Sequence, residues 1–136
     1  MSYTPLYIAT TDITDSLARD FINGSDARVD KWMERTDGEI QSMALSLGVP
    51  VGSIYTPLNS RVKEYAVAYF CFLLFQDTNG ENDTENPENE VYLIKLKWYM
   101  ERVGFLQTQI TRELLTNVMT SVTAAGMVST GIMWRG

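Results

Sequence analysis

The sequence predicts an all-α protein: a helical bundle of about four helices, with an acidic loop and an extended C-terminal arm. Three observations predict it. Apolar residues recur at spacings of three and four along several stretches. Glycine, proline and asparagine cluster between those stretches. Residues 116–134 then carry no charged side chain, yet are rich in Ser, Thr and Gly, which oppose an isolated helix. Residues 1–115 are accordingly read as the helical bundle domain and residues 116–136 as an extended docking arm.

The elements follow in order. Residues 3–8 are short, apolar and interrupted by Pro5, which predicts an extended lead-in. Thr10 or Thr11 caps a first helix over 12–21, with Asp12 and Asp15 in its positively polarised first turn. Asn23-Gly24 marks a turn, and Ser25 is read as the N-cap of a second helix. Val29, Trp32, Met33, Ile40, Met43, Ala44 and Leu47 form its apolar face. Gly38 marks a possible bend in it. Gly48 is expected just past its end, with Pro50 beyond.

Residues 49–59, VPVGSIYTPLN, read as a loop. Asn59 or Ser60 caps a third helix, in which Val62, Tyr65, Ala66, Tyr69, Phe70 and Leu73 keep helical spacing. From Ala66 this helix is apolar almost all round, AVAYFCFLLF, so it is expected at the centre of a bundle or under other subunits. Residues 77–90, DTNGENDTENPENE, contain no basic and no large apolar side chain, and read as a solvated loop. Asn86 caps a fourth helix with Pro87 at its first position. Leu96, Tyr99, Val103, Leu106, Ile110 and Leu114 mark its seam, and Gly104 a potential interruption.

Composition narrows function. A chain of 136 residues, 45% apolar and 21% charged, fits one globular domain. The net charge of −6 and the lack of a Lys/Arg cluster argue against non-specific binding of nucleic acid. Cys71 is the one cysteine, so no internal disulfide is expected and a reducing compartment is the simpler setting. The opening MSYTPLYIATTDITD has no positive segment followed by a long apolar run, so no secretory signal is expected.

Catalytic chemistry finds few residues to use, and no enzyme is expected. Histidine is absent from the sequence, which removes His-based triads, shuttles and metal ligands. Cys71 lies in an apolar run that keeps a thiol protonated and inert. Asp12 with Asp15, and Asp26 with Asp30, are spaced for paired-carboxylate work, but both pairs fall at helix starts, where acids favour the dipole. Trp32, Tyr65, Tyr69, Phe70, Trp98, Tyr99 and Phe105 are expected in the core. No Gly-rich loop follows a strand, so no cofactor is expected.

The acidic loop places Asp77, Asn79, Glu81, Asp83, Glu85 and Glu88 at the oxygen-ligand positions of a helix–loop–helix calcium site. The sharp-turn glycine of such a site belongs where Asn82 stands, and Gly80 sits two places early. No metal is therefore expected. Asp77, Glu81, Asp83 and Glu85 are read instead as a partner-facing surface. The arm is the other candidate surface. Val118, Met119, Val122, Met127, Val128, Ile132, Met133 and Trp134 are apolar, Arg135 follows, and the stretch is too polar to span a membrane. Its apolar groups need burial against a partner, for instance by strand addition.

Three stretches together resemble one family, the small helical head-to-tail connector, or adaptor, proteins of tailed bacteriophages and prophages. YIATTDITDSL is similar to their extended lead and D-x-x-x-x-L helix. ARVDKWMERTDGEIQSMALSLGVPV with IYTPLNSRVKEYAVAYFCFLLFQD is similar to their two central helices, the second preceded by a Pro-Leu pair and rich in aromatics. The third is the Ser/Thr/Gly arm ending in Met133, Trp134 and Arg135. The resemblance implies a structural virion protein at the neck, made in the bacterial host cytoplasm. It implies a dodecameric ring of this chain under the portal protein, arms docked on the portal, and a downstream neck or tail protein on the other side. DNA would pass through the channel without specific binding, and no membrane is involved. The competing expectations are another neck component, such as a head-closure or tail-completion protein, and a small cytosolic helical regulator that binds a protein partner.

Overall fold

The computed structural model of the chain describes residues 3–79 and 90–118. Those residues form five α-helices and no strand: α1 (Ser16–Asn23), α2 (Arg28–Ser46), α3 (Ser60–Asn79), α4 (Glu90–Gln107) and α5 (Arg112–Thr116). Single 3₁₀ turns at Thr10–Asp12 and Val51–Ser53 punctuate the connections. The helical bundle expected from the sequence is therefore present.

Several boundaries differ from expectation, each for a local reason. Thr10 and Thr11 start the 3₁₀ turn, and Asp15 caps α1: its Oδ1 accepts from the backbone N–H of Leu17 at 3.0 Å and of Ala18 at 3.1 Å. Ser25 does not cap α2. It closes α1 in the left-handed conformation, with φ 55°. Its N–H donates to Ile22 O, and the Asp26 N–H reaches back to Phe21 O, both at 3.1 Å. A left-handed residue cannot also hold the extended backbone of an N-cap. Asp26 takes over, accepting from the Arg28 N–H at 2.8 Å.

The other end of α2 follows the sequence. Gly48 has φ +77°, and the next N–H, of Val49, bonds to Ala44 O at 2.7 Å while Val49 itself is buried. Neither Gly38 nor Gly104 interrupts its helix. The fourth helix ends at Gln107, short of Ile110 and Leu114, which were expected on its seam. The chain turns, buries Ile110, and restarts at α5 with Thr111 as cap, its hydroxyl accepting from the Leu114 N–H at 3.3 Å. The break lets Leu115 turn inward and its carbonyl accept from the Tyr55 N–H at 2.9 Å, tying α5 to the loop after α2.

The apolar helix α3 is central. It packs along the length of α4 and also against α2 and α5. Tyr65, Phe70, Leu73, Leu74 and Phe75 are fully buried, each removing apolar surface at a gain of about 1.5–3 kcal/mol. The chain itself therefore covers this helix, which is the first of the two settings expected from its lack of a polar face. Trp32 of α2 sits between Phe21 and Phe70, edge-to-face with each at 6.1 Å. Phe75 stacks on Tyr99 of α4 at 5.7 Å, with the rings 8° from parallel.

Buried acids pin the periphery. Asp37 of α2 accepts from the Leu6 N–H at 2.9 Å and from the Tyr3 hydroxyl, which fastens the lead-in onto the bundle. Asp15 does more. Its second oxygen accepts from Lys95 Nζ at 2.7 Å and from the Tyr99 hydroxyl at 2.8 Å, so one carboxylate caps α1 and grips α4. Its side chain is only 4% exposed. Burial pushes this carboxyl up, but the Lys95 hydrogen bond, the Ala18 N–H, the Tyr99 hydroxyl and the Lys95 charge outweigh it and hold the group below its ordinary value.

Folding lowers the Asp15 pKa, so the stability it adds is complete above the unfolded value near 3.8 and is lost as pH falls through the lower native value. Asp15→Ala strips both cap and clamp and is expected to cost roughly 2–3 kcal/mol in denaturant unfolding, about 1 from the cap and the rest from the lost Tyr99 and Lys95 bonds. Asp15→Asn is expected to flatten the fall in stability below pH 4, measured as urea midpoint against pH.

Candidate functional site

The surfaces expected from the sequence fall mostly outside the described residues. Met119, Val122, Met127, Val128, Ile132, Met133, Trp134 and Arg135 of the arm lie there, as do Glu81, Asp83 and Glu85 of the acidic loop. Two members are described. Val118 is 60% exposed, just past Asn117, whose left-handed backbone ends α5. Helix α5 thus ends at a defined stop, with the side chain of Val118 exposed just past it. Asp77 belongs to the last turn of α3 instead of the loop, and its carboxylate accepts from the Trp32 indole N–H at 2.7 Å. That bond satisfies a tryptophan otherwise sealed in apolar surroundings, so Asp77 serves the core.

Asp12 and Asp26, considered for acid/base work, have structural employment, as Asp15 does. Asp12 accepts from the Ala9 N–H at 2.8 Å and pairs with Lys63 at 2.9 Å. Burial raises its pKa, and the Ala9 N–H and Lys63 more than offset that, so it lies below the ordinary value. Asp26 pairs with Arg28 at 2.9 Å and lies below the ordinary value as well, held there by Arg28. Cys71 is buried in α3 beside the Tyr99 hydroxyl, and burial pushes its thiol up to about 12. Among the described residues, no three acidic, cysteine or histidine side chains converge in a way that would hold a metal ion.

The uncovered surface of the bundle is α4. Its expected seam is inward: Leu106 is buried, and Leu96, Tyr99 and Val103 pack against the core. Outside that seam the helix remains apolar. Val91, Ile94, Trp98 and Phe105 are exposed, with Trp98 and Phe105 each at 54%. Both had been expected in the core. The sequence does contain the signal: these residues sit at intervals of three, four and seven that never coincide with the inward set, so α4 carries two apolar seams.

Polar bonds fix which seam faces out. Lys95 and Tyr99 reach Asp15, and Arg102 Nη2 pairs with Glu64 of α3 at 2.7 Å. Between α3 and α4 these side chains border a hollow of about 320 Å³, floored by Val67 and Ala68 and walled by Trp98, Asp12 and Lys63. A second hollow, of about 290 Å³, lies against Ile94 and the same Trp98. Trp98 therefore stands as a ridge between two depressions. An exposed tryptophan beside apolar hollows and mixed charges has the make-up of a protein-binding surface.

No helix among the described residues is long and apolar enough to cross a membrane. The architecture is that of a small all-helical bundle with an exposed apolar seam on α4. Comparison with protein-family models, curated proteins and solved structures finds no match to this chain.

The thiol provides a check on this burial. A pKa near 12 means that Cys71 stays protonated through neutral pH and gains nucleophilicity only above it. Native protein at pH 8 is expected to leave Cys71 unmodified by an aromatic disulfide reagent, with full reaction on denaturation. A fast native reaction would show that α4 does not seal the core.

Proposed function

We propose that this chain is a structural adaptor at the head-to-tail junction of a tailed-bacteriophage virion. It joins a ring of its own copies beneath the portal protein and connects that ring to the next neck or tail component. The observation that carries the reading is the pairing of two protein-seeking surfaces on one small bundle. One is the uncharged apolar segment that begins at exposed Val118. The other is the outward seam of α4 with Trp98. An adaptor needs at least two such surfaces, since it must hold both its siblings and its neighbours in the assembly.

Three further features support the reading. The resemblance to adaptor proteins spans the lead-in, the two central helices and the arm. Asp12, Asp15 and Asp26, three of the acids spaced for paired-carboxylate work, are committed to caps and ion pairs. The net charge of −6 suits the wall of a DNA channel, because a repulsive wall does not trap its cargo.

The arm is the docking element in this reading. Ending the chain at Val118 keeps the α5 stop and the Leu115–Tyr55 bond, so the bundle stays folded. The truncated protein is expected to match the intact chain in helical signal and melting temperature, yet fail to bind the portal ring encoded in the same genome. Mass measurement of portal mixtures checks this. Intact chain joining the portal in a fixed stoichiometry supports the adaptor. Truncated chain that binds equally well rejects the arm as the dock, and intact chain that ignores the portal rejects the adaptor reading.

A further inference from the structure

We propose that two copies of this chain pair through α4, antiparallel and about a two-fold axis at Trp98. This goes beyond the adaptor reading and does not rest on it. The exposed seam has an internal symmetry. Val91 and Phe105 each lie seven residues from Trp98, on opposite sides. At 3.6 residues and 5.4 Å per turn, Val91, Ile94, Trp98 and Phe105 fall within roughly 60° of arc, with Val91 and Phe105 about 10.5 Å from Trp98 along the axis. A two-fold interface needs a self-complementary patch. Reversing one α4 against another sets Trp98 on Trp98, and sets each Val91 on Phe105 of the second copy. Both contacts remove apolar surface that the isolated chain leaves exposed.

The charges match the same operation. In a two-fold antiparallel pair, like edges of the two helices meet, running in opposite directions. One edge of the seam carries exposed Lys97 and exposed Glu101. Lys97 of each copy then comes within about 3 Å, along the axis, of the level of Glu101 of the other, which forms two cross-copy ion pairs. The opposite edge carries Lys95 and Arg102, whose charges are already answered inside the chain by Asp15 and Glu64, each at 2.7 Å. The same operation brings the two Lys97 side chains within about 3 Å of one level and each Lys95 within about 1.5 Å of the level of the other Arg102, so the Glu101, Asp15 and Glu64 carboxylates must stand beside these cations. The chain's own arm is a poorer occupant. Residues 116–134 contain no charged side chain, so they offer no charge to meet Lys97 and Glu101, which have only each other four residues apart on α4.

Sedimentation equilibrium of the full chain tests the pairing. The intact protein is expected as a monomer–dimer equilibrium across a concentration series. Trp98→Glu is expected to be monomeric with an unchanged helical signal, since Trp98 is half exposed. Lys97→Glu and Glu101→Lys are each expected to weaken the dimer about tenfold or more, because each sets two like-charge pairs across the axis. Mixed in equal amounts, those two variants are expected to regain the intact affinity, because both cross-copy pairs are then of opposite sign. Helical signal and melting temperature of each variant separate a lost interface from a lost fold. An intact chain that stays monomeric overturns the proposal, whether its Trp98 is open to a quencher or covered by the chain's own arm. Dimers unaffected by Trp98→Glu, or a mixture no tighter than the single variants, overturn it too. Portal binding is read separately: a dimer indifferent to the portal leaves this inference standing and removes the adaptor, and the reverse result does the opposite.

Discussion

The Asp15 carboxylate is the contact on which the arrangement of this bundle depends. The reason lies in α4, which is apolar on nearly every side. Burial alone cannot orient such a helix, because several of its faces would gain similar free energy against α3. Directional bonds make the choice. Lys95 and Tyr99 can both reach Asp15 only when the side bearing Leu96, Tyr99, Val103 and Leu106 faces inward. The Arg102–Glu64 pair, more exposed and therefore weaker, fixes the same rotation further along. Asp15 is itself held by the first turn of α1, so the start of one helix sets the roll of another far along the chain.

That roll has a functional consequence. Once the inward seam is chosen, Val91, Ile94, Trp98 and Phe105 must face out. Nothing in local propensity distinguishes the two seams, and both are made of large apolar residues. A chain that only had to be stable would gain by replacing the outer seam with charged residues, which improve solubility at little cost in fold. The seam instead keeps a half-exposed tryptophan, Trp98. Among the described residues, Asp12, Asp37 and Asp77 fasten helices and the lead-in.

The pattern of agreement between sequence and structure follows from the range of the forces involved. The inward faces of α2 and α3 were legible, because a helix with one apolar stripe has one way to pack. The Gly48 stop was legible for a similar reason: a left-handed residue followed by a buried valine is a local geometry. Ser25 was misread because the end of α1 and the start of α2 compete for the same residues, and the end of α1 takes Ser25. Asp77 was misread because its partner, Trp32, lies 45 residues away along the chain.

By itself the sequence determined the all-helical class, the central place of α3, the inertness of Cys71 and the lack of charge in the arm. These depend on composition and on periodicity within a few turns, and both are written directly in the order of residues. Only the tertiary structure decided which of two apolar seams on α4 is buried, and hence which aromatics meet the outside. That choice rests on hydrogen bonds between residues 80 and more positions apart, and short-range pattern carries no information about them.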